Sequence, residues 1–367
     1  MNNNVYVDIH VLQTVPPSCI NRDDTGSPKT AVYGGTTRAR ISSQAWKHAI
    51  RKEFHKRFPN EELGLRTKKI AALVKTELQK LDPSLSDEKA EEKVSEGLKK
   101  AGLAAKDVSK KKDVSKEREL SNEMAALFFI SMEQVRAIAA LIHSDKKEKK
   151  MYEIALKKAP AIDMIMFGRM VASDPSLNYD ATVQVAHSIS THTVHNEFDY
   201  FTAIDDCSQD DESGASHLGT VEFNSSSMYR FATINVSELA FFVGAETGRA
   251  VSEFLESFIY SMPTGKENSF ANRTLPFAIY ITVRNDQPIN LCGAFERPVK
   301  AGQDGYEEAS EKAFVEYAKE LYTKYGNAPA YSFGMGNQIS SLTETASVPV
   351  ILNKLENVIN EQVGPEK

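Results

Sequence analysis

Apolar and polar residues alternate along Val5-Tyr6-Val7-Asp8-Ile9-His10-Val11-Leu12, the period of a half-buried strand, until Pro16-Pro17 stops it. Residues 21–36 then read as a polar loop holding Gly26, Pro28 and the pair Gly34-Gly35. Ser42 or Ser43 can cap a helix that begins with Gln44. Within it Trp46, Ile50, Phe54 and Phe58 recur every fourth residue, a stripe that must face a core. Lys47 and Arg51, with His48 and Lys52 beside them, fall on a neighbouring stripe that must face outward.

Between Gly102 and Pro160 there is neither Gly nor Pro, and Ala, Leu, Lys and Glu dominate. Residues 60–160 therefore predict an all-helical unit, interrupted by a lysine-rich surface loop or frayed helix at Lys106–Arg118. After Pro160 the pattern changes. An apolar run covers Met164 to Val171, and β-branched residues with polar flanks follow from Ala181 to Val194. Residues 195–227 form an acidic excursion without a single Lys or Arg. Strand signals return at Met228–Val236 and Phe277–Val283, with helices around Ala250–Tyr260 and Ala309–Tyr325, and the tail Asn360–Lys367 reads as frayed. The succession predicts an α+β domain carrying two large insertions, without internal repeats.

Composition adds little until it is divided. The 367 residues carry a net charge of −6, with 41% hydrophobic and 26% charged residues, which suits a folded chain of two or three units and excludes long disorder. Residues 1–160 hold 31 Lys and Arg against 22 Asp and Glu, whereas 161–367 hold 13 against 28. Arg22 to Arg57 alone has 9 basic and 3 acidic residues, so a polyanion partner is open despite the acidic total. Three scattered cysteines (Cys19, Cys207, Cys292) fit reduced thiols in a cytoplasmic protein. Met1-Asn2-Asn3-Asn4 lacks a signal-peptide pattern, and no apolar run approaches the ~18 residues of a membrane span, so no membrane partner is expected.

The candidate chemistry follows the charge. Arg22, Lys29, Arg38, Arg40, Lys47, Arg51 and Lys52 gather on one strand-loop-helix, with Ser42, Ser43 and Gln44 as neutral donors at a helix start. That mixture suits phosphate oxygens. A solvated basic face would have the same composition; the scarcity of acidic counter-charges in this stretch favours binding. His187, His192 and His195 near Asp199 match no compact metal motif, and strand alternation would scatter them. Asp205 and Asp206 could hold a cation, or form a solvated loop that docks on a basic neighbour. Gly334-Met335-Gly336 lacks the third glycine of a dinucleotide site, and neither a P-loop nor a nucleophile elbow occurs. Tyr200-Phe201 is either the mini-core of its excursion or a platform for unpaired bases.

Several longer runs carry a resemblance. Pro17-Ser18-Cys19-Ile20-Asn21-Arg22-Asp23-Asp24, Tyr33-Gly34-Gly35, and Arg38-Ala39-Arg40-Ile41-Ser42-Ser43-Gln44 with Lys47 resemble the N-terminal signature of the CasC-type family. These are the backbone subunits of the type I-E CRISPR surveillance complex, Cascade. Gly168-Arg169-Met170, Ala186-His187-Ser188-Ile189-Ser190-Thr191-His192, Phe201 to Asp206, Gly214 to Thr220 and Ala294-Phe295-Glu296 continue the match in order. The chain departs from the family at Thr36-Thr37, where relatives are more basic, at His48 for Arg, and at Tyr200 for Trp.

The resemblance implies a palm of modified ferredoxin-like, RNA-recognition fold, with inserted helical fingers and a long β-hairpin thumb. The palm would comprise 1–58, 181–192 and 228–367, the fingers 59–180 and the thumb 193–227. It implies a non-catalytic subunit without cofactor or metal that polymerises along CRISPR guide RNA. Its partners would be further copies of itself, other Cascade subunits and, through the guide, target DNA. Arg22, Lys29, Arg38, Arg40, Ser42, Gln44, Lys47, His48, Arg51 and Lys52 would hold the RNA backbone. Met170 would act as a base wedge, with Tyr200, Phe201, Thr202, Ile204 and Leu218 as thumb residues at the kink. The alternative is a metal-dependent nuclease using Asp205 or Asp206, as in type III backbone subunits.

Overall fold

The computed structural model describes residues 4–103, 127–171, 174–203 and 217–363. The lysine-rich stretch 106–118, and Ile204, Asp205 and Asp206, lie outside them. The chain divides into two units, Met1–Arg57 with Val183–Lys367, and Phe58–Thr182.

In chain order the strands of the first unit are β1 (Tyr6–Ser18), β2 (Thr30–Tyr33), β3 (Thr36–Ile41), β6 (Val183–Val185), β7 (Ser188–Ser190), β8 (Glu197–Ala203), β9 (His217–Asn235), β10 (Ala278–Arg284) and β11 (Tyr331–Met335). They form an antiparallel sheet of order β11-β10-β1-β9-β7-β3-β2, with β6 and β8 also paired to β9. The alternation of β1 predicts one wet face, but Val7, Ile9 and Val11 on one side and Asp8, His10 and Leu12 on the other are all buried. Helices cover both sides. Tyr229, Phe231 and Tyr280 pack with Leu12 against Phe314 and Val315 of the helix Glu307–Tyr325. Across the sheet lie α1 (Ser43–Phe54) and the helix Thr247–Tyr260, with the helix Val348–Val363 packed on the latter.

That C-terminal helix corrects the frayed tail as far as Val363, because Ile351, Leu355 and Ile359 bury one stripe of it. The acidic excursion is also corrected. Its last residues and the strand predicted at Met228–Val236 are one 19-residue strand, β9, whose first part pairs with β8 as an arm.

A buried cation fixes α1. The Arg230 guanidinium stacks between the Trp46 ring, 3.8 Å away, and the Phe258 ring, 4.4 Å away. It donates to Gln13 Oε1 at 2.6 Å and to the Phe258 carbonyl. Trp46 Nε1 in turn donates to Ser188 Oγ at 2.8 Å. Burial draws the Arg230 pKa down to about 9.

The second unit is not all-helical. Its helices Ile70–Leu81, Asp87–Lys100, Met132–His143 and Lys149–Lys157 share a core of Ile70, Val74, Leu98, Ile138 and Ile142 with Phe128 and Ile130. The last two residues belong to β5 (Phe128–Ile130), which pairs with β4 (Leu65–Thr67). Strands this short carry no readable period. The apolar run at Met164 contributes a short helix, Ile162–Phe167.

One buried carboxyl in the first unit is poorly solvated. Asp8 Oδ2 accepts from the Ile289 amide at 2.8 Å, while Oδ1 has no hydrogen-bond partner among the described residues. Burial pushes its pKa up to about 6, against 3.8 for a free aspartate. The folded protein therefore holds this proton more tightly than the unfolded chain. Stability linked to Asp8 is present below about pH 4 and is lost as pH rises through 6. At pH 7.5 the ionised group costs about 3 kcal/mol. Asp8→Asn keeps an acceptor for Ile289, so it should raise the melting temperature at pH 7.5 by several degrees. The gain should shrink towards pH 4.5, and a difference independent of pH would contradict this account.

Candidate nucleic-acid interface

The cations predicted to hold RNA sit on a loop, a hairpin and a helix of the first unit whose positions are set from beneath. Arg38 of β3 is fully buried. Its Nε donates to Thr36 Oγ1 at 3.0 Å, Nη1 to the Ser190 carbonyl at 2.9 Å, and Nη2 to the Phe295 carbonyl at 2.9 Å. The turn between β2 and β3 closes on the same loop. Gly34 has φ +58°, and a Cβ there would lie 1.7 Å from the Glu296 carbonyl oxygen, so only glycine fits. The expectation that Arg38 grips RNA is therefore corrected: its donors are used inside the fold, anchoring the hairpin.

Asn21 joins the preceding loop to the same frame. Its side-chain oxygen accepts from the Ser42 amide at 2.8 Å, and its carbonyl accepts from the Lys29 amide at 2.9 Å. Ser42, not Ser43, is the N-cap of α1, its buried Oγ accepting from the Ala45 amide at 3.3 Å. Ser42 thus presents little hydroxyl surface. From there Trp46, Ile50 and Phe54 face inward, Gln44, His48 and Lys52 are exposed, and Lys47 and Arg51 are half-buried.

Arg22 is exposed on its loop, while Lys29 and Arg40 are half-buried. Arg40 Nε donates to the Thr30 carbonyl at 3.0 Å, and Nη1 lies 3.2 Å from Nδ1 of exposed His187. Among the described residues no ion pair engages Arg22, Lys29, Arg40 or Lys52. Towards and past the end of α1, Lys56 pairs with Glu53 and Arg57 with Glu256. Sequence reasoning missed Asn21, Ser18, Asn224 and Ser226, which line a 20 Å³ cavity with Lys29 and Arg40, room for about one water.

The β8–β9 arm pairs Glu197 with Phe223 through to Ala203 with His217. Phe198 and Tyr200 are two residues apart, hence on one face, and are 67% and 63% exposed. Phe198 was not singled out from the sequence, although its alternation with Tyr200 was available. Phe201 is exposed on the opposite face and lies across Gly219, where a Cβ would come within 2.3 Å of its ring. Thr202 is exposed, and the backbone register sets Leu218 opposite it.

The three histidines have separate surroundings. His192 is buried, stacked 3.6 Å from the Tyr306 ring. Its Nδ1 donates to the Thr193 carbonyl and its Nε2 accepts from the Ser227 amide. Among the described residues no three His, Cys, Asp or Glu side chains cluster as a metal site would require. Gly334 and Met335 belong to antiparallel β11, and Gly336 packs against Glu311, an arrangement unlike a dinucleotide turn.

In the second unit Gly168-Arg169-Met170 displays a single side chain. Gly168 has φ +77° and sits where a Cβ would lie 2.9 Å from the Tyr179 carbonyl. Buried Arg169 donates to the Leu177, Phe129 and Leu156 carbonyls and to Gln134 Oε1. Burial lowers its pKa to about 10. Met170, held between these anchors and the chain beyond, is 86% exposed at a groove of about 540 Å³ also lined by Arg66, Phe129 and Tyr179.

Comparison with known proteins gives three results. A family model described as CT1975-like protein matches residues 7–361. A chain of a solved "CRISPR RNA-guided surveillance complex, pre-nicking" is 30% identical with a TM-score of 0.82, covering 96% of this chain and 100% of that one. A chain of a second solved "CRISPR RNA-guided surveillance complex" is 27% identical with a TM-score of 0.62, covering 96% and 99%. Curated proteins give no match.

The two classes of arginine should separate on mutation. Arg38→Met strands three carbonyl and hydroxyl acceptors and should lower stability by about 2–4 kcal/mol in chemical denaturation. Arg22→Glu should stay within about 0.5 kcal/mol of the parent. Equal losses would show that Arg38 is not the anchor.

Proposed function

This chain belongs to the CT1975-like family, and we propose that it is a non-catalytic backbone subunit of a type I-E Cascade complex that binds and displays CRISPR guide RNA. The observation that carries this reading is the set of cations that make no ion pair among the described residues, Arg22, Lys29, Arg40 and Lys52, set with Gln44, Lys47, His48 and Arg51 along one loop, one hairpin and one helix. The likeness to chains of CRISPR RNA-guided surveillance complexes over nearly the whole length supports it.

On this reading the first unit is the palm, the β8–β9 arm its thumb, and residues 58–182 the fingers. Each palm grips several phosphates without reading sequence, because its donors are charges, amides and a helix N-terminus. The exposed faces of Phe198 and Tyr200 offer stacking surfaces that accept any base. The arm and Met170 introduce the kinks, and copies polymerise head to tail along the guide in the cytoplasm, joined by other Cascade subunits. Unpaired guide bases between kinks then pair with target DNA, so base pairing reads sequence while the protein holds shape.

Two measurements test the proposal. Arg22→Glu and Lys47→Glu should each weaken assembly on guide RNA at least tenfold and flatten the salt dependence of binding. Assembly equal to the parent in both variants would remove the palm assignment. Assembled complex incubated with target RNA and magnesium should return intact RNA. Regularly spaced fragments that vanish on Asp205→Ala or Asp206→Ala would instead make the subunit a nuclease.

A further inference from the structure

His187 belongs to a motif that the proposed RNA grip leaves unused, yet it stands inside that grip. It lies between β6 and β7, one residue beyond the Ile41–Ser188 pair of the β3–β7 ladder, where Ser42 begins α1. Its ring is exposed, and its Nδ1 lies 3.2 Å from Arg40 Nη1. Arginine has donors and no acceptor, so Nδ1 must be the acceptor in this contact. The imidazole is therefore neutral, with its proton on Nε2.

The charged groups facing the ring are Arg40 from β3 and Lys29 from the loop before β2. Burial of part of the ring, and then these two cations, lower its pKa from the ordinary imidazole value. Three elements thus bring two cations and one uncharged imidazole to a single point. A neutral acceptor holds an arginine that has no carboxylate partner among the described residues.

We propose that Lys29, Arg40 and His187 form one phosphate subsite, in which His187 gains a proton as a backbone phosphate binds. The phosphate oxygen replaces Nδ1 as the acceptor for Arg40. The freed Nδ1 takes a proton from solvent and becomes a second donor to the same phosphate. The anion also offsets the repulsion that kept the imidazole neutral. One proton is taken up per occupied subsite, forming the Nδ1–H bond, and no other bond changes. Binding should then tighten as pH falls, by at most tenfold per pH unit for one linked proton. This inference rests on the palm being the RNA grip.

The test is calorimetric titration of the full-length protein with a single-stranded oligouridylate, in buffers of different ionisation enthalpy at pH 6.5 and pH 8. The parent should take up a substantial fraction of a proton per protomer at pH 6.5, and less at pH 8. His187→Gln should abolish most of that uptake. Its affinity deficit should grow from about twofold at pH 8 to about tenfold at pH 6. Because the ring is exposed, its melting temperature should stay near that of the parent, which separates lost binding from lost fold. If His187→Gln shows the parent's proton uptake and pH profile, the inference fails while the palm reading stands. If Arg22→Glu and Lys47→Glu bind oligouridylate like the parent, the palm reading itself fails.

Discussion

A buried guanidinium bonded to neutral oxygens is the interaction on which the first unit's surface depends. Arg230 has no carboxylate among its hydrogen-bond partners; its charge rests between the rings of Trp46 and Phe258 and on Gln13 and a carbonyl. A cation so placed tolerates little displacement, since losing either ring leaves a desolvated charge. Trp46 is thereby fixed in rotation as well as depth, and with it the whole of α1. Arg38 does the same for the hairpin, joining β3 to β7 and to the 295–296 loop through carbonyls. Carboxylate partners would have neutralised the local field; carbonyl partners leave it positive. The buried arginines therefore orient the exposed cations without cancelling them.

That arrangement suits the proposed work. A subunit that holds any guide must locate phosphates while ignoring bases, which calls for rigid placement of charge rather than adaptable contacts. Arg38 and the Gly34 turn make the hairpin a fixed rail, and the Ser42 cap and Asn21 tie the start of α1 to it. At Arg40 and His187, the proposed phosphate subsite, the contact joins a half-buried guanidinium to an exposed imidazole. In the second unit Arg169 repeats the device, four neutral acceptors immobilising the residue before an almost fully exposed methionine.

Local periodicity made much of this legible. The Trp46-Ile50-Phe54 stripe, the capping serine, β10 and the helix Glu307–Tyr325 all follow from patterns within a few turns of chain. The hairpin Thr30–Ile41 does not. Its strands are short, and its order comes from Arg38 and Gly34 docking on residues some 250 positions away. The β4–β5 pair is hidden for the same reason, three residues joined across sixty. The strand predicted from Met228 begins eleven residues earlier, at His217: Asn224, Ser226 and Ser227, polar in the sequence, are buried and paired to β1, while Ser225 stands exposed at a shift in register. Strand alternation sets Arg38 and Arg40 on one face, and nothing local reveals that a distant loop covers the first and spares the second. Phe198 is legible from its alternation with Tyr200, whereas the setting of His187 shows only once the fold brings Arg40 beside it.

The charge balance then takes on a consistent meaning. A net −6 opposes indiscriminate condensation on RNA, because long-range attraction scales with the whole field while the grip acts within about a Debye length. A single copy of the proposed subunit would hold RNA weakly and lose it easily in salt. Several copies on one strand convert each further contact into an intramolecular one. The basic segment from Arg22 to Arg57 and the acidic stretch from 195 to 227 are separate in sequence and opposite in charge, which on the proposed reading would suit a heterologous contact that repeats without closing. On that reading, weak attraction for RNA alone, joined to attraction between neighbours, would make ordered occupation of a guide more favourable than scattered occupation of any RNA. An all-basic subunit of the same fold would bind more tightly and discriminate less.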